Sequence, residues 1–220
     1  MARVVHNPLS QAVGGRQKLI DAALRLGAQK SSLDSVGLRE LAREAGVNPN
    51  TFYRHFADLD ALGLCIVEHF GDELRRDRNA ARAEASDFPT FLRESFARYF
   101  EYAAHHPNAF LLGFRELSAP TKVRSAVRKL MNELARELML ITRHFGLLAH
   151  LDDTALEEIA SFVISQLFIS SIDYIEHPKQ RRAILEKALH FAGYLLAGAS
   201  AAVAPAKAAP KKRARVRSRG

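Results

Sequence analysis

Between Asn50 and His55 the chain gathers side chains suited to reading a nucleic acid: Asn50, Thr51, Tyr53, Arg54 and His55. Arginine offers paired donors that fit the two acceptors on the guanine edge, and asparagine offers the donor and acceptor that fit adenine. Threonine, tyrosine and histidine suit a phosphate oxygen or the thymine methyl group. Interleaved with them are Phe52 and Phe56, four residues apart and so on one side of a helix. Burying those two rings leaves Asn50, Thr51, Tyr53, Arg54 and His55 outside. Upstream, Leu38, Leu41, Ala42 and Ala45 recur at helical spacing. Gly46 ends that helix, because glycine takes the left-handed backbone at little cost. Asn48 can cap the next helix, and Pro49 fits its first turn, where a missing N–H is harmless. The pattern predicts two helices joined by a tight turn, the second short enough to enter a DNA major groove.

Other chemistries lack their residues. Nine histidines are scattered, and His105-His106 precedes Pro107, so the pair sits at a helix end rather than at metal-binding i, i+4 spacing. There is no His-Glu-x-x-His, no cysteine cluster, no glycine-rich phosphate loop and no nucleophile elbow. The single cysteine, Cys65, lies among Leu62, Leu64, Ile66 and Val67 and reads as a small core residue. An enzyme, a metal site and a cofactor are therefore not expected. The formal net charge is +8, and it is concentrated at the two ends. Residues 207–219 carry seven basic side chains and no acid, residues 1–56 carry eight basic against four acidic, and the middle is net acidic. That distribution favours DNA as partner for the ends.

The remaining elements are those that must hold and control this reading helix. Helical periodicity predicts an all-α chain of about nine helices with no strand. A flexible arm occupies 1–14, a three-helix head 15–57, a helical body 58–199 and a disordered basic tail 200–220. The fourth helix, about 58–83, is long enough to join head to body. Its second half is highly charged and reads by default as a solvated face. The eighth helix is apolar on nearly every side through SFVISQLFISSI, which calls for cover on more than one face. Together with the ninth helix it is expected to form a four-helix homodimer interface about a two-fold axis. No apolar run reaches about 18 residues and no signal-peptide core is present, so a cytoplasmic, nucleoid-associated protein without a membrane partner is expected.

The sequence from Leu38 to Phe56, with the turn at Gly46, the Thr51-Phe52-Tyr53 step and His55-Phe56, resembles the TetR family of bacterial transcriptional regulators. A narrower similarity joins REAGVNPNTFYRHFADLDALGL and HHPNAFLLGFRELS to TetR-type repressors of unsaturated fatty-acid synthesis that respond to long-chain acyl-CoA. The resemblance implies a dimer on a palindromic operator, with Arg39, Asn48, Asn50, Thr51, Tyr53, Arg54 and His55 as the DNA contacts. It has one departure. Many members carry a lysine just after His-Phe, whereas this chain reads Ala57-Asp58-Leu59-Asp60, so no phosphate contact is assigned there. The resemblance also implies an apolar effector cavity among the fourth to eighth helices. The phenylalanine-rich middle fits it, and the expected lining is Phe96, Phe100, Phe110, Phe114, Phe162 and Gln166. Arg98, Arg115 and Lys122 can meet a CoA phosphate or serve as paired surface residues. Two other functions remain open: an architectural DNA-binding protein gripping through its tail, and a TetR-type regulator of efflux or catabolic genes with another ligand.

Overall fold

The computed structural model of the protein describes residues 14–201. The arm and nearly all of the basic tail lie outside the described residues. The order is α1 (Gly15–Gln29), a 3-10 turn (Leu33–Ser35), α2 (Leu38–Glu44), α3 (Pro49–Tyr53), α4 (Leu59–Glu84), α5 (Phe88–His105), α6 (Pro107–Glu116), α7 (Lys122–His144), α8 (Asp153–Glu176), a second 3-10 turn (Pro178–Gln180) and α9 (Arg181–Ala201). The described residues form helices and turns and no strand, as the periodicity predicts.

The helix starts are written locally. Asp58, Asp87, Thr121 and Asp152 each accept a hydrogen bond from the amide three residues on, at the heads of α4, α5, α7 and α8. Each satisfies an amide that has no partner within the helix. Between α2 and α3 the chain turns at Gly46, whose φ of +62° is open to glycine without strain.

Two apolar cores hold the molecule. One lies within the body, from Phe88, Phe91, Phe96 and Phe100 of α5 to Leu156 and Val163 of α8 and Ala188 of α9. The other is shared: Leu19, Leu33, Leu41, Phe52 and Phe56 of the head pack with Leu62, Ile66 and Phe70 of α4 and with Phe110 and Leu112 of α6. Residues on both sides of position 57 therefore share one core. Gly27 shows how closely the two halves meet, since a Cβ there would lie 2.6 Å from Leu112 Cδ1.

The charged second half of α4 departs from the expected solvated face. Arg75 pairs with Asp72 at 2.8 Å and with Glu133 of α7 at 2.5 Å. Arg78, with only 12% of its side chain exposed, pairs with Glu137 of α7. The run turns inward because α7 presents acids to it, which its own composition cannot reveal. The absence of a long apolar run also needs correction. α8 is long and apolar enough, by length and composition, to cross a membrane. In this fold it instead places Leu156, Ala160, Val163 and Leu167 in the core of the body.

Candidate nucleic-acid interface and effector cavity

The reading helix is mounted from below. Asn48 Oδ1 accepts from the Asn50 amide at 2.9 Å, and Pro49 occupies the first turn. Phe52 and Phe56 are buried, with ring centroids 5.9 Å apart. Burying a phenylalanine is worth about 1.5–3 kcal/mol, so the pair fixes which side of α3 faces inward. Asn48, Asn50, Tyr53, Arg54 and His55 are consequently exposed and Thr51 is half-buried. Arg39 is exposed in the first turn of α2, apart from the others along the chain. Tyr53 leaves 63% of its surface in water, a position for a large ring that suits contact with a partner. The start of α1 closes on the same face: a Cβ on Gly15 would lie 2.7 Å from Thr51 Cγ2 and 3.2 Å from His55 Nε2.

The two acids that replace the familiar lysine have internal work. Asp58 caps α4 through the Ala61 amide at 2.7 Å, and Asp60 pairs with Lys122 of α7 at 2.8 Å. The ion pair ties the foot of α4 to the body.

A second tie was not legible in the sequence. Glu116, at the end of α6, is completely buried. The Leu33 amide of the head donates to its Oε1 at 2.5 Å, and the Thr121 hydroxyl donates to its Oε2 at 2.5 Å. Beside it, Arg115 Nε donates to the Ala28 carbonyl at 2.8 Å. Both carboxylate oxygens are thus satisfied, as a buried carboxylate requires. Through this cluster α6 holds the head at the end of α1.

The body contains two apolar cavities. The first lies between α4, α5, α7 and α8 and is partly open to solvent. Leu74, Phe91, Phe96, Leu134, Leu138 and Leu167 supply much of its wall, and Asp77, Arg78 and Ser95 supply its polar part. The second lies between α4, α6, α7 and α8, is again partly open, and is lined by apolar groups such as Phe70, Phe110, Leu112 and Val127. Burial, and then the neighbouring Arg75 and Arg82, lower the Arg78 guanidinium to about 10, which leaves it charged at neutral pH. Burial and the nearby Glu73 raise the Asp77 carboxyl.

The expected ligand set meets these cavities only in part. Phe96 lines the first and Phe110 the second. Phe100 is fully buried and stacked on Tyr174 at 4.9 Å, so its ring is core rather than wall. Phe114 is 43% exposed and Phe162 is 67% exposed, on outward faces of α6 and α8. Gln166 donates to Ser170 at 3.1 Å along α8 and lines neither cavity. In their place stand Phe91, Tyr99 and Phe168. An all-round apolar helix such as α8 gives no signal for which ring turns inward, so Phe168 could not be told from Phe162. The three cations offered for a CoA phosphate all have internal partners: Arg98 with Glu84, Arg115 with Ala28, and Lys122 with Asp60.

Residues 19–63, which span α1 to the start of α4, match the family described as bacterial regulatory proteins, tetR family. The likeness to that family therefore lies in the head and in the first turns of α4. Solved TetR-like structures share its fold over most of both chains. A TetR-family regulator from Syntrophomonas wolfei superposes with a TM-score of 0.70 at 16% identity, covering 84% of this chain and 95% of that one. A TetR-like regulator from a Rhodococcus species gives 0.68 at 14% identity, over 84% and 96%. The fatty acid degradation regulator FadR from Bacillus halodurans gives 0.68 at 16% identity, over 84% and 95%. At these identities the likeness establishes the fold alone.

Proposed function

We propose that this chain is a TetR-type regulator, a dimeric repressor of fatty-acid metabolism genes that binds a palindromic operator and is controlled by an acyl-chain effector, with long-chain acyl-CoA the leading candidate. The observation that carries this reading is the apolar cavity walled by α6, the helix packed on the head, with a second cavity adjoining it at Phe168. An effector occupying them has a short mechanical path to α1 through Leu112, Arg115 and Glu116. It shifts operator affinity by as much as it prefers one placement of α6 over another.

Contact with DNA falls in this reading to Arg39, Asn48, Asn50, Thr51, Tyr53, Arg54 and His55. Dimerisation falls to α8 and α9, whose outward faces leave Phe162 67%, Ile169 52% and Tyr194 75% exposed. Apolar rings on neighbouring helices, left in water by one subunit, suit burial against a second. The fold shared with a fatty acid degradation regulator is compatible with the metabolic assignment. The test is a footprint on the DNA upstream of the gene, repeated with saturated and unsaturated long-chain acyl-CoA. Protection that changes with acyl-CoA is expected. Identical footprints under all ligands would remove the lipid effector and leave the repressor.

A further inference from the structure

We infer that the two cavities form one divided acyl site, with an acyl oxygen held at Arg78 and Ser95 and the hydrocarbon tail crossing Phe168 to lie beneath α6. This deepens the effector-controlled reading above and rests on it for its regulatory meaning. Three observations lead to it.

The first cavity has donors without acceptors. Arg78 gives one end of its guanidinium to Glu137, yet its Nε has no partner among the described residues, and neither does the Ser95 hydroxyl. Both residues line the cavity, and buried donors left unmet are costly. A bound acyl group can supply the missing acceptor, either as a carboxylate oxygen or as a thioester carbonyl. Other charged groups nearby are Asp77 on the same wall, Arg82 one turn along α4, and Arg75 and Glu133 beyond Glu137. Apart from Tyr99 and Met131 the remaining wall is hydrocarbon, which suits an amphiphile with a small polar end.

Phe168 is the second observation, since it lines both cavities. It is half-buried, its ring centroid lies 6.4 Å from those of Phe110 and Phe114, and its Cζ would be 3.4 Å from a Cβ on Gly113. The missing side chain at Gly113 is what lets the ring stand against α6. A side-chain rotation of Phe168 would join the two spaces.

The position of the second cavity is the third. Leu112 lines it and also meets Gly27 of the head. A short chain, confined to the first cavity, would leave α6 undisturbed. A long chain displaces Phe168 and presses on the helix that carries Leu112 and Glu116. Phe168 is therefore a specificity-determining residue that converts chain length into a signal.

The test is a fluorescence titration of the full chain, without DNA, with octanoate, palmitate and palmitoyl-CoA. Each buried methylene is worth about fourfold in affinity, so palmitate or its CoA ester should bind at least about 100-fold more tightly than octanoate. Whichever of the two binds more tightly identifies the carrier of the acyl group. Ser95→Ala should weaken octanoate and palmitate alike by about tenfold, the worth of a hydrogen bond to a charged acceptor. Phe168→Trp, which blocks the passage, should weaken palmitate by about tenfold or more while leaving octanoate within about twofold. Phe168→Leu, a milder change, should retain palmitate. Equal binding of octanoate and both long-chain ligands, an unchanged Ser95→Ala, or equal losses for both acids in Phe168→Trp would each overturn the divided site. Acyl binding as described with no operator footprint would overturn the regulatory reading and leave the site standing. A footprint without any acyl binding would do the reverse.

Discussion

At the scale of single residues, the head separates mounting from reading. Asn48 belongs to both, because its side chain caps α3 while its surface is exposed. Asn48→Ala should cost about 1 kcal/mol of stability in denaturant unfolding, whereas Arg54→Ala should change stability by less than about 0.5 kcal/mol and still abolish specific DNA binding. His106 gives a pH prediction. Burial against Phe70 and Tyr102, and then the neighbouring His105 and His69, lower its imidazole to about 4 from an ordinary value of 6.5. The unfolded chain therefore binds a proton that the folded chain refuses. The contribution is complete above about pH 6.5 and is lost as pH falls towards 4. Because the ring is only partly buried, solvent screening reduces it to about 1–2 kcal/mol. Replacing His106 with Phe should flatten acid unfolding over that interval, as followed by circular dichroism. The outward placement of Asn50, Tyr53, Arg54 and His55 was legible because it follows from burying Phe52 and Phe56 on the other side of the helix. Glu116 was not legible. Its role depends on the Leu33 amide, which is brought to it only by the fold.

At the scale of elements, α6 is the connection that matters. It packs on α1, ends in the buried Glu116 and forms a wall of the second cavity. Glu116→Ala leaves the Leu33 amide and the Thr121 hydroxyl without their acceptor and should cost about 1–3 kcal/mol. Glu116→Gln keeps an acceptor and should cost less. Both effects are read from denaturant unfolding. In Glu116→Ala the operator should still be recognised while its response to effector weakens, which a pair of DNA titrations with and without ligand would show. Helix boundaries were readable to within about two residues, because caps such as Asp58, Asp87 and Asp152 and breakers such as Gly46 and Pro107 act locally. Facing was harder. The orientation of Phe114 and Phe162 depends on neighbours far along the chain. The same is true of the charged half of α4, which looks solvated until Glu133 and Glu137 of α7 are placed beside it.

At the scale of the whole molecule, the account requires two heads held at a fixed separation. Phe162→Glu together with Tyr194→Glu, both at exposed positions, should leave the monomer folded and shift sedimentation to the monomeric species. A dimer surviving both changes would move the interface away from α8 and α9. All-α class and order were visible in the periodicity. The shared core between head and body was not, because it joins Leu33 and Phe52 to Phe110 and Leu112 across long loops of sequence. The central claim is that α3 reads an operator as part of a two-fold assembly. The most direct measurement is a footprint on the DNA upstream of the gene with the full chain, with Tyr53→Ala and with Arg54→Ala. The account predicts a palindromic protected site for the full chain that is lost in both variants while each remains dimeric. Protection unchanged in both variants, or no protected site for the full chain, would contradict it.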